Sequence, residues 1–370
     1  MKNFPEQLDL KRLRVYPLAE RESLSRVEKI VVDPAATLAP LPAGLDHIVS
    51  GIAAKIRAAR ERGASVMLLY GAHLVKNGAH RLVNTLVERG WLTHLATNGA
   101  GVIHDWELSF LGRTEEKVRP NVATGTFGAW DETGRNIHLA LLGGALRGEG
   151  FGRSIGRFIT EDGVTLPATA ELEKLLRESP AHRLAPARAE LLQAMLEHQL
   201  PAGRITVEHP HKDVSMLATA FRQKVPLTVH PGIGYDIITN HPMFNGAAIG
   251  RAAGLDYAQY CATVERLDDG VVLSVGSAIM APQVFEKSLS AVNNLRLQAS
   301  RPIVRDHTIC VVDIQDGGGW DWSQGEPPKT NPAYYLRFCK SFARMGGAMH
   351  YAQCDNVAFL HHLLALLAKD

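Results

Sequence analysis

From residue 45 onward, apolar positions recur at helical spacing through LDHIVSGIAAKIRAARERG and stop at Gly63. The run VMLLYG that follows reads as a buried strand. The same alternation repeats. HLVKNGAHRLVNTLVERG predicts a helix, LTHLAT a second strand, and the turn NGAG leads into the helical pattern of HDWELSFLG. Farther on, RITVEH, VPLTVH, VVLSVG and TICVVDI are short β runs, most of them separated by helices of moderate length. Strands alternating with helices imply crossover connections. The expected fold is therefore α/β and Rossmann-like, a mainly parallel sheet with helices on both faces. Residues 119–165 are richer in Gly, Thr and Arg and read as loops with one strand candidate, NIHLALLG; residues 167–200 read as helix interrupted by Pro180 and Pro186. The chain is expected to be a single domain over 1–370, with a polar N-terminal extension over about 1–44 and a divergent middle over about 119–200.

Composition narrows the function classes. With 46% hydrophobic residues in 370, there is enough apolar material for a large core. The net charge of +2, with no dense Lys/Arg run, argues against a nucleic-acid partner. No segment reaches about 18 uninterrupted apolar residues, and the charged N-terminus lacks the apolar core of a secretory signal. No membrane association and a cytoplasmic location are expected. Cys261, Cys310, Cys339 and Cys354 are widely spaced, without a CxxC pair, so reduced thiols and no metal are expected.

Parallel sheets bind ligands in the loops beyond the carboxyl ends of their strands. After VMLLYG, such a loop carries His73, Lys76 and Asn77, which read either as a solvated helix start or as ligand contacts. After LTHLAT, residues Asn98, Gly99 and Gly101 precede His104, Asp105 and Glu107. This turn is either plain helix-capping structure or a seat for a phosphate or ribose. HPGIGYDIITNHP places Asp236 five residues before His241; a histidine oriented by a carboxylate can relay a proton. DIQDGGGWDWSQGEPP gathers Asp313, Gln315, Asp316 and Asp321 around glycines with Trp320 and Trp322, groups that can hold cations, hydroxyls or rings. NPAYYLRFCKSFARMG predicts a helix with Asn331 as N-cap and an apolar stripe of Tyr335, Phe338, Phe342 and Met345. Lys340 lies off that stripe beside Arg337 and Arg344, either solvated or with an amine activated by its cationic neighbours.

Taken in order, these loops resemble those of deoxyhypusine synthase, over roughly residues 65–115 and 205–365. The segment His73 to Gly78 is similar to the family's NLxSSG element, and Asn98 to Asp105 to its TAGGxEED element, with His104 in place of a glutamate; both elements line the NAD site. The pair Asp236 and His241 keeps the spacing of PxxxDGSxGDxxxxH, and DIQDGGGWDW resembles TAQEFDGSD, with Asp316 and Asp321 as the acidic counterparts. NPAYYLRFCK resembles RPDEAVSWGK: Lys340 matches its lysine, Phe338 replaces the substrate-stacking tryptophan, and Tyr334 replaces an acidic residue.

The resemblance implies NAD as cofactor, bound by His73, Asn77, Asn98, Gly99, Gly101, His104, Asp105, Gln315 and Asp355. It implies a substrate site of Asp316, Trp320, Asp321, Tyr334 and Phe338. Catalysis would rest on His241, Asp236 and Lys340, the lysine taking an aminoalkyl group as an imine. On this reading the chain is a transferase of the deoxyhypusine synthase type and, like that family, a homotetramer. Loss of the carboxylate at Tyr334 and gain of Arg337 disfavour a polycation, so the substrate is expected to be an amine other than the spermidine and translation-factor pair. LATNGAGVIHDWELSFLG also looks like the NAD-dependent ornithine cyclodeaminase group. Two alternatives follow: an NAD-dependent lyase or cyclodeaminase acting on a small amino acid, and an NAD-binding protein without catalysis.

Overall fold

The computed structural model describes residues 7–276 and 278–368; the first six residues of the expected extension, and Ser277 in VVLSVGSAIM, lie outside the described residues. Strands β1 Val66–Tyr70, β2 His94–Thr97, β3 Leu227–Val229, β4 Val271–Val275, β5 Thr308–Asp313 and β6 Ala348–Gln353 form one sheet in which every pairing is parallel. Their spatial order is β3-β2-β1-β4-β5-β6. This is the doubly wound Rossmann order, in which the two halves run outward from the middle and leave a crevice beyond the carboxyl ends of β1 and β4.

Helices α1 Leu45–Glu61, α2 Ala72–Lys76 and α3 His80–Glu88 precede β2. The long connection from β2 to β3 holds α4 Gly99–Leu111, α5 Asp131–Ala145, α6 Phe151–Thr160 and α7 Met216–Arg222. Helices α8 Gly246–Val264, α9 Met280–Gln298, α10 Arg337–Ala343 and α11 Asn356–Leu367 follow. Val66, Leu68 and Tyr70 of β1 pack with α1, α3 and α11 on one face of the sheet. Met67 and Leu69 pack with α9, α10 and the end of α8 on the other. Both faces are covered, so the inner strands read as continuous apolar runs in the sequence.

Several expectations are corrected. NIHLALLG is helix rather than strand: it lies within α5, where every residue from Asn136 to Ala145 is buried. A helix apolar on all sides shows no 3.6-residue period. RITVEH contributes Gly203–Thr206 to a separate antiparallel ribbon with Gly163–Leu166, outside the parallel sheet. The helix expected after β1 is broken between α2 and α3 at Gly78, whose φ is +82°. NGAG is no free turn, since Asn98 is the N-cap of α4 and accepts from the Gly101 N–H at 2.9 Å.

Two further features position the site. A second antiparallel ribbon pairs Ser23–Arg26 with Arg113–Glu116, carrying residues near the N-terminus back against α4. At the outer side of β3, the buried Asp256 of α8 accepts from the N–H of Val229 at 2.7 Å and of Gly152 at 3.0 Å.

Candidate functional site

A cavity of about 240 Å³ is bounded by segments that follow β1, β2 and β3 and by the Ser23–Arg26/Arg113–Glu116 ribbon; its titratable lining is Arg21, Lys76, His104, Glu107, Glu115, Glu116 and Asp236. Such a volume suits a small metabolite. Helix α4 supplies His104 and Glu107 three residues apart, hence on one helical face.

Glu107 is fully buried and its carboxylate is saturated. It accepts from Arg21 Nη1 at 2.8 Å and Nη2 at 2.7 Å, from Thr114 Oγ1 at 2.5 Å and from Thr133 Oγ1 at 2.9 Å. Burial alone would raise its pKa, but the guanidinium's charge and hydrogen bonds outweigh burial and hold the carboxyl below its ordinary value. The His104 ring meets Thr114 Oγ1 through Nδ1 at 2.7 Å; burial pushes its pKa down to about 4, with the nearby Glu107 charge opposing, so the ring is neutral at pH 7. Lys76 Nζ lies 3.2 Å from Glu115 Oε1, and Ser25 Oγ donates to Glu115 Oε2 at 2.8 Å. Asp236 accepts from the Gly232 N–H at 2.7 Å, while burial pushes its carboxyl up to about 6. The cavity thus combines a cation, a neutral imidazole and a carboxyl able to exchange a proton near neutrality.

The structure separates Asp236 from His241. Asp236 turns toward the start of α4, and His241 is held by other partners: its Nε2 lies 3.4 Å from Asp131 Oδ1, and its Nδ1 accepts from the Met243 N–H at 3.0 Å. Lys340 sits in α10 beside the edge strand β6, its Nζ 3.7 Å from the centre of the Tyr334 ring. His241 follows β3, the opposite edge. Five inter-strand spacings of ~4.8 Å amount to roughly 24 Å between those edges, so within one chain Lys340 and His241 do not share a site.

The residues expected to hold NAD fall into three groups. His104 lines the cavity, and Asn98, Gly99 and Gly101 form the α4 start beside Asp236. Asp105 is fully buried and accepts from Ser215 Oγ at 2.5 Å and the Met216 N–H at 2.9 Å, which commits it to the start of α7 rather than to an open site. His73, Asn77, Gln315 and Asp355 are exposed and follow β1, β5 and β6 around the crevice. Asn77 Nδ2 donates to Asn356 Oδ1 at 3.1 Å, and Asp355 caps α11 through the N–H groups of Val357 and Ala358, both at 2.9 Å. Gly276, with φ +83°, lets these loops converge: a Cβ there would lie 3.3 Å from Asn356 Nδ2 and 3.5 Å from the Leu74 nitrogen.

The residues expected to bind substrate form a separate loop cluster between β5 and β6. Asp316 accepts from the Gly318 N–H at 2.7 Å and Asp321 from Ser323 Oγ at 2.7 Å, each closing its own turn. Trp320 Nε1 donates to the Gly325 carbonyl at 3.0 Å, and Phe338 packs edge-on against Phe342 at 5.4 Å. Arg21, Glu115 and Tyr235 of the cavity wall, and Thr114 behind His104, were not read from the sequence as site residues. The doublet Glu115–Glu116, three residues after the helix-ending Gly112, was the available signal.

No protein-family model and no curated protein matches the chain. It is similar to solved structures of ArgZ, an arginine dihydrolase from the ornithine–ammonia cycle in cyanobacteria (13% identity, 88% of this chain and 33% of that one, TM-score 0.41). It is similar also to AgrE in a ternary complex with ornithine and NAD+ (13% identity, 90% and 34%, TM-score 0.42), and to a conserved putative LOR/SDH protein from Methanococcus maripaludis S2 (14% identity, 91% and 73%, TM-score 0.41). The chain spans about a third of the length of ArgZ and AgrE. These neighbours are not deoxyhypusine synthases. That finding corrects the expected family and the transferase of that type. Among the described residues, no helix is long and apolar enough to cross a membrane.

Proposed function

We propose that the chain is an NAD-dependent enzyme acting on a small amino acid, of the lyase or cyclodeaminase kind. The observation that carries this reading is the Rossmann strand order, whose crevice adjoins a small cavity holding Lys76, His104 and Asp236. The crevice suits a dinucleotide: the loops after β1, β4 and β6 converge at Gly276, and His73, Asn77 and Gln315 are exposed to meet sugar hydroxyls and phosphates. When bound, NAD supplies a hydride acceptor and, later, a hydride donor.

The chain's own residues supply the rest. Lys76 attracts the substrate carboxylate. Asp236, with its carboxyl near 6, would take the proton that leaves the amine nitrogen as the adjacent C–H gives up hydride; a second amine of the same substrate would then add to the imine carbon and expel ammonia, and the cyclic imine so formed would recover the hydride. Glu115 holds the Lys76 ammonium in place. The phosphates have no seat at the start of α4, because the Asp236 carboxylate stands over it.

Mass spectrometry of the purified protein for a co-purified dinucleotide, followed by an amino-acid screen for ammonia release with NAD present, tests the proposal. Ammonia release without net NADH is the expected result. Absence of NAD binding would overturn the reading. NAD binding without turnover of any amine would leave a dinucleotide-binding protein that lacks the activity.

A further inference from the structure

Every hydrogen in the chain Arg21–Glu107–Thr114–His104 has a forced direction. The guanidinium can only donate, so the ionised Glu107 accepts from it. An ionised carboxylate has no hydrogen to give, so the single hydroxyl hydrogen of Thr114 points to Glu107 Oε2. Thr114 Oγ1 is left with lone pairs toward the ring, and His104 Nδ1, 2.7 Å away, must carry the imidazole proton. A neutral ring has one N–H. Nε2 is therefore a bare acceptor, and no other described residue hydrogen-bonds it although His104 lines the cavity.

We infer that Glu107 and Thr114 are positioning residues that fix His104 as a hydrogen-bond acceptor toward the cavity, so that the site selects ligands presenting an N–H there, the amine of a small amino acid, over the matching 2-oxo acid. The substrate class rests on the function proposed above; the direction of the relay does not. A 2-oxo acid offers a carbonyl oxygen where the amino acid offers nitrogen-bound hydrogens, and two acceptors facing each other lose the bond and its solvation. Thr133 and Arg21 hold the far side of Glu107, so the carboxylate cannot turn away from Thr114.

The test uses the full chain labelled with ¹⁵N-histidine, and the Thr114→Val and Thr114→Ser variants. Nitrogen chemical shifts report the tautomer directly, with the His104 signal assigned by its loss in His104→Gln. The expected result at neutral pH is protonated Nδ1 and bare Nε2 in the parent and in T114S. T114V, which keeps the shape and removes the oxygen, shifts the ring toward the Nε2–H tautomer. A parent His104 with protonated Nε2, or a T114V ring identical to the parent, would overturn the relay. In parallel, calorimetry with NAD compares a panel of small amino acids against their 2-oxo acids. The expected result is a preference for the amine form that falls about tenfold in T114V and returns in T114S. Equal weakening of both ligand forms would overturn the selectivity, and no binding of any amine would overturn the proposed function while the tautomer result stands by itself.

Discussion

The carboxylate of Asp236 occupies the space that a side chain at position 99 would fill: a Cβ built on Gly99 would lie 2.0 Å from Asp236 Oδ2. The loop after β3 thus closes onto the start of α4 only because residue 99 has no side chain. Gly99→Ala is expected to push Asp236 out of the cavity wall and to destabilise the protein by about 1–3 kcal/mol, the usual effect of overpacking. Thermal unfolding measures it, and a variant as stable as the parent would show that the loop is free to retreat.

Arg21 and Glu107 are both buried and paired through two hydrogen bonds. Arg21→Met leaves Glu107 charged and unpaired, an effect on the order of 3–5 kcal/mol. The double variant R21M/E107Q removes the stranded charge and should recover part of the loss in urea unfolding. Additive losses in the double variant would contradict the pairing.

Burial pushes the Asp256 carboxyl up to about 7, against the lowering effect of its backbone donors, among them the N–H groups of Gly152 and Val229. The folded state therefore binds that proton more tightly than the unfolded chain, where the carboxyl titrates near its ordinary value of about 3.9. Stability contributed by this group is full below the unfolded value, falls as pH rises toward about 7 and is flat beyond. Asp256→Asn keeps an acceptor oxygen for both N–H groups and removes the titration. Across that window the unfolding temperature of the variant should gain on the parent as pH rises, and parallel curves would refute the assignment.

Lys340 stacks its ammonium on Tyr334 on the flank away from the cavity. Lys340→Ala should cost at most ~0.5–1 kcal/mol of stability, typical of an accessible cation–π contact. Neither the parent nor the variant should yield a borohydride-trapped adduct with amine and NAD. An adduct lost only in K340A would restore the lysine to the chemistry.

The parallel core was legible because strands covered on both faces are written as apolar runs: VMLLYG, LTHLAT, VPLTVH, VVLSVG and TICVVDI all became strands of the one sheet. The edge strand AMHYAQ was not, since its half-exposed His350 and exposed Gln353 break the run and its membership comes from pairing with β5. Asp236 and His104 could be singled out because each closely follows a strand. Arg21 and Thr114 could not, because a ribbon joining residues about ninety apart in the chain brings them to Glu107, and nothing local announces that pairing. The sequence spacing of Asp236 and His241 was suggestive, yet the 3₁₀ turn Ile237–Asn240 sends the two side chains to different neighbours.

The carboxylate of Asp256 also decides where the sheet ends. The N–H and C=O of alternate residues on an outermost strand normally invite another chain to pair, which is how sheets recruit unwanted neighbours. In β3 the outward N–H of Val229 is already given to Asp256, and the outward carbonyl of Leu227 is covered by Gly152, where an added Cβ would lie 1.8 Å from that oxygen. An incoming strand finds these two groups already taken. The acid whose proton affinity ties folding to pH therefore also occupies part of the edge that β3 would otherwise present to another strand.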